Sequence, residues 1–144
     1  MDRDGDVLDV MLTDAGILGL RSAWFGHAVR SAEPYALEAE LTIRIPSAPT
    51  FLAMKWEALQ DEGDDWRWSR PAEDIVKTVA GRSTFIDELR KADPAVIDYL
   101  VARAGELLDS GHVEDVVAAA LPDAQQVPEI AARAIARFAA IAGR

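Results

Sequence analysis

Hydrophobic positions along the chain repeat first with the period of a strand and then with that of a helix. Residues 7–12 alternate, Leu8, Val10 and Leu12 sharing one face and Val7, Asp9 and Met11 the other. Residues 17–29 have mixed helical character, with Trp24 and Phe25 as candidate anchors. Over residues 36–45, Leu37, Ala39, Leu41, Ile43 and Ile45 oppose Glu38, Glu40, Thr42 and Arg44. That alternation predicts one half-buried strand, or two joined by a tight bend.

From residue 47 the period becomes helical. Ser47 fits an N-cap, and Pro49 is tolerated in a first turn, where its missing N–H has no intrahelical partner to lose. At about 100° per residue, Phe51, Leu52, Met54, Ala58 and Leu59 fall on one arc, and Lys55 sits near its centre. An ammonium in that position must reach water along its stem, pair with an anion or meet a ligand. Lys55 is therefore the first candidate for function. Residues 61–68 read as a loop rich in acid, glycine and tryptophan. Pro71 then opens a second helix that Gly81 closes. Its buried arc is Ala72, Ile75, Val76, Val79 and Ala80. Asp74 lies nearly opposite, on a solvated face, with Glu73 and Lys77 placed as an i,i+4 pair. Three or four further helices follow, with apolar stripes of Val96, Ile97, Leu100, Val101, Ala104, Leu107 and Leu108, then Val113, Val116, Val117 and Leu121, then Ile130, Ala134, Phe138 and Ile141. The expected architecture is α+β: a small mixed or antiparallel sheet over residues 1–46, then a helical region over 47–144, packed together as one domain.

Composition narrows the chemistry. The 144 residues carry a formal net charge of −10 and no cysteine, and histidine occurs only at positions 27 and 112. The charge argues against a general nucleic-acid-binding surface while leaving room for one basic pocket. The lack of thiols removes disulfides, zinc–thiolate sites and cysteine nucleophiles. No apolar run approaches the roughly 20 residues needed to span a bilayer, and the first residues are acidic where a signal peptide is basic. A cytoplasmic protein is the expectation. Glycine-rich phosphate cradles and a nucleophile elbow are absent. Trp66 and Trp68, flanking Arg67, fit either base stacking or the capping of a small core.

The order of segments adds a resemblance. LDVMLTD with the following ILGL and Trp24, then FLAMKWEAL, GDD, and S-x-x-x-EDIV ahead of a Gly-Arg, resembles small nucleotidyltransferase-like proteins of the polymerase-β-like fold, relatives of the abortive-infection and toxin–antitoxin enzymes. The resemblance spans roughly residues 5 to 120, the C-terminal two-thirds of such a protein. It implies transfer of a nucleotidyl group from a nucleoside triphosphate to an acceptor, with Mg²⁺ held by carboxylates. By this resemblance Asp9 matches a catalytic, metal-binding carboxylate, Lys55 the helix lysine that approaches the triphosphate, and Asp74 the later acid of a helix motif. Arg70 is a neighbouring candidate for phosphate. The family's Gly-Ser loop and first carboxylate pair have no counterpart here, and Pro71 stands where the first acid of the helix motif would be. The expectation is thus an enzyme completed by missing residues or by a partner chain. The alternative is a non-catalytic remnant of the fold acting as an interaction or oligomerisation module. Either reading implies a homo-oligomer or a partner chain.

Overall fold

The computed structural model describes residues 22–144, and within them the chain is α+β, a two-stranded antiparallel hairpin followed by a helical bundle. Helix α1 (Phe25–Ser31) leads into strands β1 (Glu33–Glu38) and β2 (Leu41–Ile45). The bundle then comprises α2 (Ala48–Leu59), α3 (Arg70–Gly81), the short α4 (Phe85–Leu89), α5 (Pro94–Asp109), α6 (Val113–Ala120) and α7 (Pro128–Ile141). Two 3₁₀ turns, Trp66–Trp68 and Pro122–Gln125, join α2 to α3 and α6 to α7. None of the described helices is long and apolar enough to cross a membrane.

Three helices start the same way. Ser47, Ser69 and Asp93 each accept a hydrogen bond from a backbone N–H inside the first turn, and each is followed within two residues by proline. The side chain satisfies one of the orphan donors of the new helix, and the proline ring pre-sets φ where no N–H is needed. Each such cap contributes about 1 kcal/mol. At the other end of α3, Arg137 of α7 donates from Nη1 to the Val79 carbonyl at 2.8 Å and also to that of Ala80. A cation is well placed there, because the last carbonyls of a helix are unpaired and carry the negative end of its dipole.

The core forms where α2 and α3 pack on each other and on α5, α6 and α7. Leu52, Ile75, Val76, Val79, Leu100, Val117 and Phe138 are almost wholly removed from water. Trp56 meets Phe138 edge-on, with ring centroids 6.1 Å apart, and Trp24 is buried against Tyr99 at 4.8 Å. The predicted stripes of α3, α5, α6 and α7 face the core, with Ile97, Leu108, Leu121 and Ile130 partly buried at their margins, but Val101, expected in the α5 stripe, is exposed.

Two expectations change. The buried face of α2 consists of Pro49, Thr50, Leu52, Ala53 and Trp56, so its centre is turned roughly 130° about the helix axis from Lys55, the centre of the predicted arc. The helix is apolar almost all round, and periodicity alone does not say which apolar side meets the core. The alternation over residues 36–45 resolves into two strands with a tight bend, starting earlier, at Glu33. Tyr35 pairs with Ile43, Glu33 with Ile45, and an irregularity lies between Ala36 and Glu38. Neither strand is half-buried: all residues of both are exposed, Leu37 at 54% and Leu41 at 50%. The strand expected at residues 7–12 lies outside the described residues.

Replacing Phe138 by alanine removes the ring on which Trp56 rests and leaves a cavity between α2 and α7. The expected loss is about 3–5 kcal/mol, to be read from urea denaturation followed by tryptophan fluorescence.

Candidate phosphate-binding groove

Burial of Trp56 sets the azimuth of α2 and carries Lys55, one residue before it, to the seam between α2 and α3. There Lys55 Nζ lies 2.8 Å from Oδ2 of Asp74, and the two side chains are 31% and 21% exposed. The pair explains the lysine within an apolar helix: its stem runs past Phe51, whose ring centroid is 5.3 Å from Nζ, and its charge is met by an acid. Asp74 is correspondingly only 21% exposed rather than on a solvated face, its two oxygens facing Lys55 of α2 and Arg70.

Arg70 approaches the other oxygen of Asp74, Nε to Oδ1, at 3.5 Å, and lies 3.9 Å from Glu73. Glu73 in turn pairs with Lys77, as the i,i+4 spacing predicts. Three of the four candidate site residues, Lys55, Arg70 and Asp74, thus converge on one cluster, while Asp9 lies outside the described residues. Around Asp74, three cations face two carboxylates. On a chain with a net charge of −10, this is a locally positive patch.

Beside the cluster runs a groove of about 760 Å³ between the end of β2, the start of α2 and the α3–α4 connection. Phe51 lines it together with Lys77, Thr78, Arg82, Ser83 and Thr84, and no carboxylate is among its lining residues. The acids stand behind the cations instead. Glu88 takes both its oxygens to Arg82 Nε, at 2.8 and 2.9 Å, and accepts from the Thr84 hydroxyl. Burial pushes the Glu88 carboxyl up, but its hydrogen bonds from Arg82 and Thr84, with the charge of Arg82, outweigh that and hold it below the usual range. Glu73 is likewise held low, chiefly by its hydrogen bond from Lys77. The groove therefore offers an ammonium, a guanidinium and hydroxyls to an oxyanion, and an aromatic ring to an apolar group. Sequence reading missed Arg82 and Lys77 as wall residues, because an Arg after a helix-closing glycine and a Lys in an i,i+4 pair are ordinary surface features.

The described residues do not fit a divalent metal. No three of their His, Asp or Glu side chains gather at one point, and Asp74 and Glu73 are both engaged by cations. The expected Mg²⁺ site accordingly has no donor set here, and Asp74 serves as a partner for Lys55 and Arg70 rather than as a metal ligand. His27 faces Asp93 at 3.6 Å, and His112 lies 3.7 Å from Asp115 with the Arg67 guanidinium also against its ring. Among the described residues neither imidazole ring is hydrogen-bonded to a hydroxyl; the backbone N–H of His112, not its ring, donates to Ser110 Oγ. Arg67 lies over both Trp66 and Trp68, at 6.0 and 4.9 Å, so their ring faces are partly used within the chain. Comparison of the chain with family models, with curated proteins and with solved structures finds no match.

Two outcomes follow from this electrostatic arrangement. In a double-mutant cycle of Lys55→Met and Asp74→Asn, read by urea denaturation, the coupling is expected at about 0.5–1 kcal/mol, since both groups keep contact with water. Glu88 has a folded pKa below its unfolded value, so its contribution to stability is present above the unfolded value and is lost as pH falls through the folded one. Denaturation between roughly pH 6 and pH 3 should show that loss, and Glu88→Gln should flatten it.

Proposed function

We propose that this chain is a nucleotidyltransferase-like protein that holds the triphosphate of a nucleoside triphosphate at the Lys55–Arg70 patch and the adjoining groove. The observation that carries the reading is the convergence of Lys55 of α2 with Arg70 and Asp74 of α3, beside a groove whose charged wall residues are all cationic. Asp74 holds Lys55 in place, much as a paired acid orients a phosphate-binding lysine elsewhere. Arg70, 79% exposed, can swing toward an incoming anion. Nucleotidyl transfer to an acceptor requires a metal-binding carboxylate set that the described residues do not assemble. The reading therefore includes Asp9 and either further residues or a partner chain.

A second reading, a non-catalytic module for self-association or partner binding, is favoured by a different observation. The hairpin presents Tyr35, Leu37, Leu41, Ile43 and Ile45 to solvent, and each of its strands has one edge unpaired among the described residues, a template for pairing with another chain.

Calorimetric titration with ATP, GTP, CTP and UTP in the presence of Mg²⁺ separates the two. On the first reading at least one nucleotide binds saturably, Lys55→Ala weakens it about tenfold, the loss of a charge-assisted contact, and Asp74→Asn leaves binding intact or tightens it. Absence of heat with every nucleotide, from protein that is folded and sediments as an oligomer, rejects the first reading in favour of the second.

A further inference from the structure

Trp56, besides meeting Phe138, borders an apolar cleft of about 330 Å³ lined from α2, α3, α5 and α6. Its floor is Trp56, Ala72, Ile75, Leu107 and Val116, all buried, and Trp66 forms a wall. Trp66 is itself held edge-on by the His112 ring, 6.3 Å away at 75°. The volume falls at the lower end of small-molecule sites, which are typically about 300–1,000 Å³ and lined by apolar and aromatic side chains with a few polar groups. A one-ring or two-ring compound is the scale that fits.

The mouth sets the charge of the occupant. Arg103 meets Glu106 through Nη2 and its guanidinium lies over the Tyr99 ring at 5.5 Å, while its Nε is buried with no hydrogen-bond partner among the described residues. The Gln60 amide donates to the Tyr99 hydroxyl, and the Ser110 hydroxyl donates to the Leu107 carbonyl. Of the three charged residues at the mouth, Arg103 and Glu106 pair with each other, and Glu62 has no ion-pair partner among the described residues; its backbone N–H, bonded to the Leu59 carbonyl at 3.2 Å, fixes the turn at the rim. Two tryptophan rings and an unpaired carboxylate favour a cation over an anion, by charge and by ring quadrupole together.

We propose that this cleft is a binding site for a small aromatic ammonium compound, its ring between Trp56 and Trp66 and its ammonium at Glu62. The proposal is independent of the phosphate-binding reading, because none of its residues belongs to the Lys55 patch or to the groove.

Titration of the full chain with 2-phenylethylammonium, followed by the ¹H–¹⁵N signals of the four tryptophan indoles, tests it, with Trp66→Phe assigning the wall signal. Saturable shifts are expected at Trp56 and Trp66 but not at Trp68, which is 62% exposed and reports non-specific contact. The 3-phenylpropionate anion, with a similar ring and the opposite charge, should bind at least several-fold more weakly. Glu62→Gln, a surface change in a turn, should weaken the ammonium about two- to fivefold, as for an exposed ion pair. Equal binding of the two probes, an affinity unchanged in Glu62→Gln, shifts confined to Trp68, or shifts that never saturate would each overturn the proposal.

Discussion

The placement of Trp56 governs most of what surrounds it. Helix α2 is apolar on nearly every side, so several rotations about its axis would bury comparable area. Only one puts the largest side chain edge-on against Phe138 while Leu52 and Ala53 fill the rest of the interface. Burial of an aromatic of that size dominates the choice, because it removes the most surface from water and its ring geometry adds specificity. Once Trp56 points inward, Lys55 must lie one step around the helix, at the seam with α3, and Leu59 and Gln60 must border the apolar cleft.

The seam shows how an acidic chain arranges a cationic surface. Lys55, Lys77 and Arg82 are each held from one side by an acid, respectively Asp74, Glu73 and Glu88. These pairs are too exposed to stabilise the fold by much. Their stronger effect is geometric, since a held cation loses less side-chain freedom when it meets an anion than a free one does. Arg137, reaching from α7 to the last carbonyls of α3, fixes the end of the helix from which the groove wall at Arg82 to Thr84 departs.

The hairpin stands apart from this logic. Its strands hydrogen-bond to each other, and Arg44 donates to the Ala32 carbonyl next to β1, yet no side chain of either strand is buried. Its alternation is real and its twofold period is obeyed, but alternation marks which residues share a face, not whether that face is covered. Coverage depends on what packs above it, and the packed core of the described residues is assembled by the helices.

By itself the sequence determined where α2 begins, where α3 begins and ends, and most of the faces of α3, α5, α6 and α7 that turn inward. Ser47 with Pro49, Pro71 with a closing Gly81 and 3.6-residue stripes are local signals that tertiary packing had no reason to override. It also singled out Lys55, Arg70 and Asp74, although for reasons that did not foresee their contact. What only the tertiary structure decided is azimuth and juxtaposition. A helix apolar all round carries no periodic record of its buried side, and an ion pair between positions 55 and 74 depends on two helices meeting at one height and rotation. The same holds for Arg82, Lys77 and the tryptophan cleft, whose members come from several elements and become a wall or a floor only when those elements pack together.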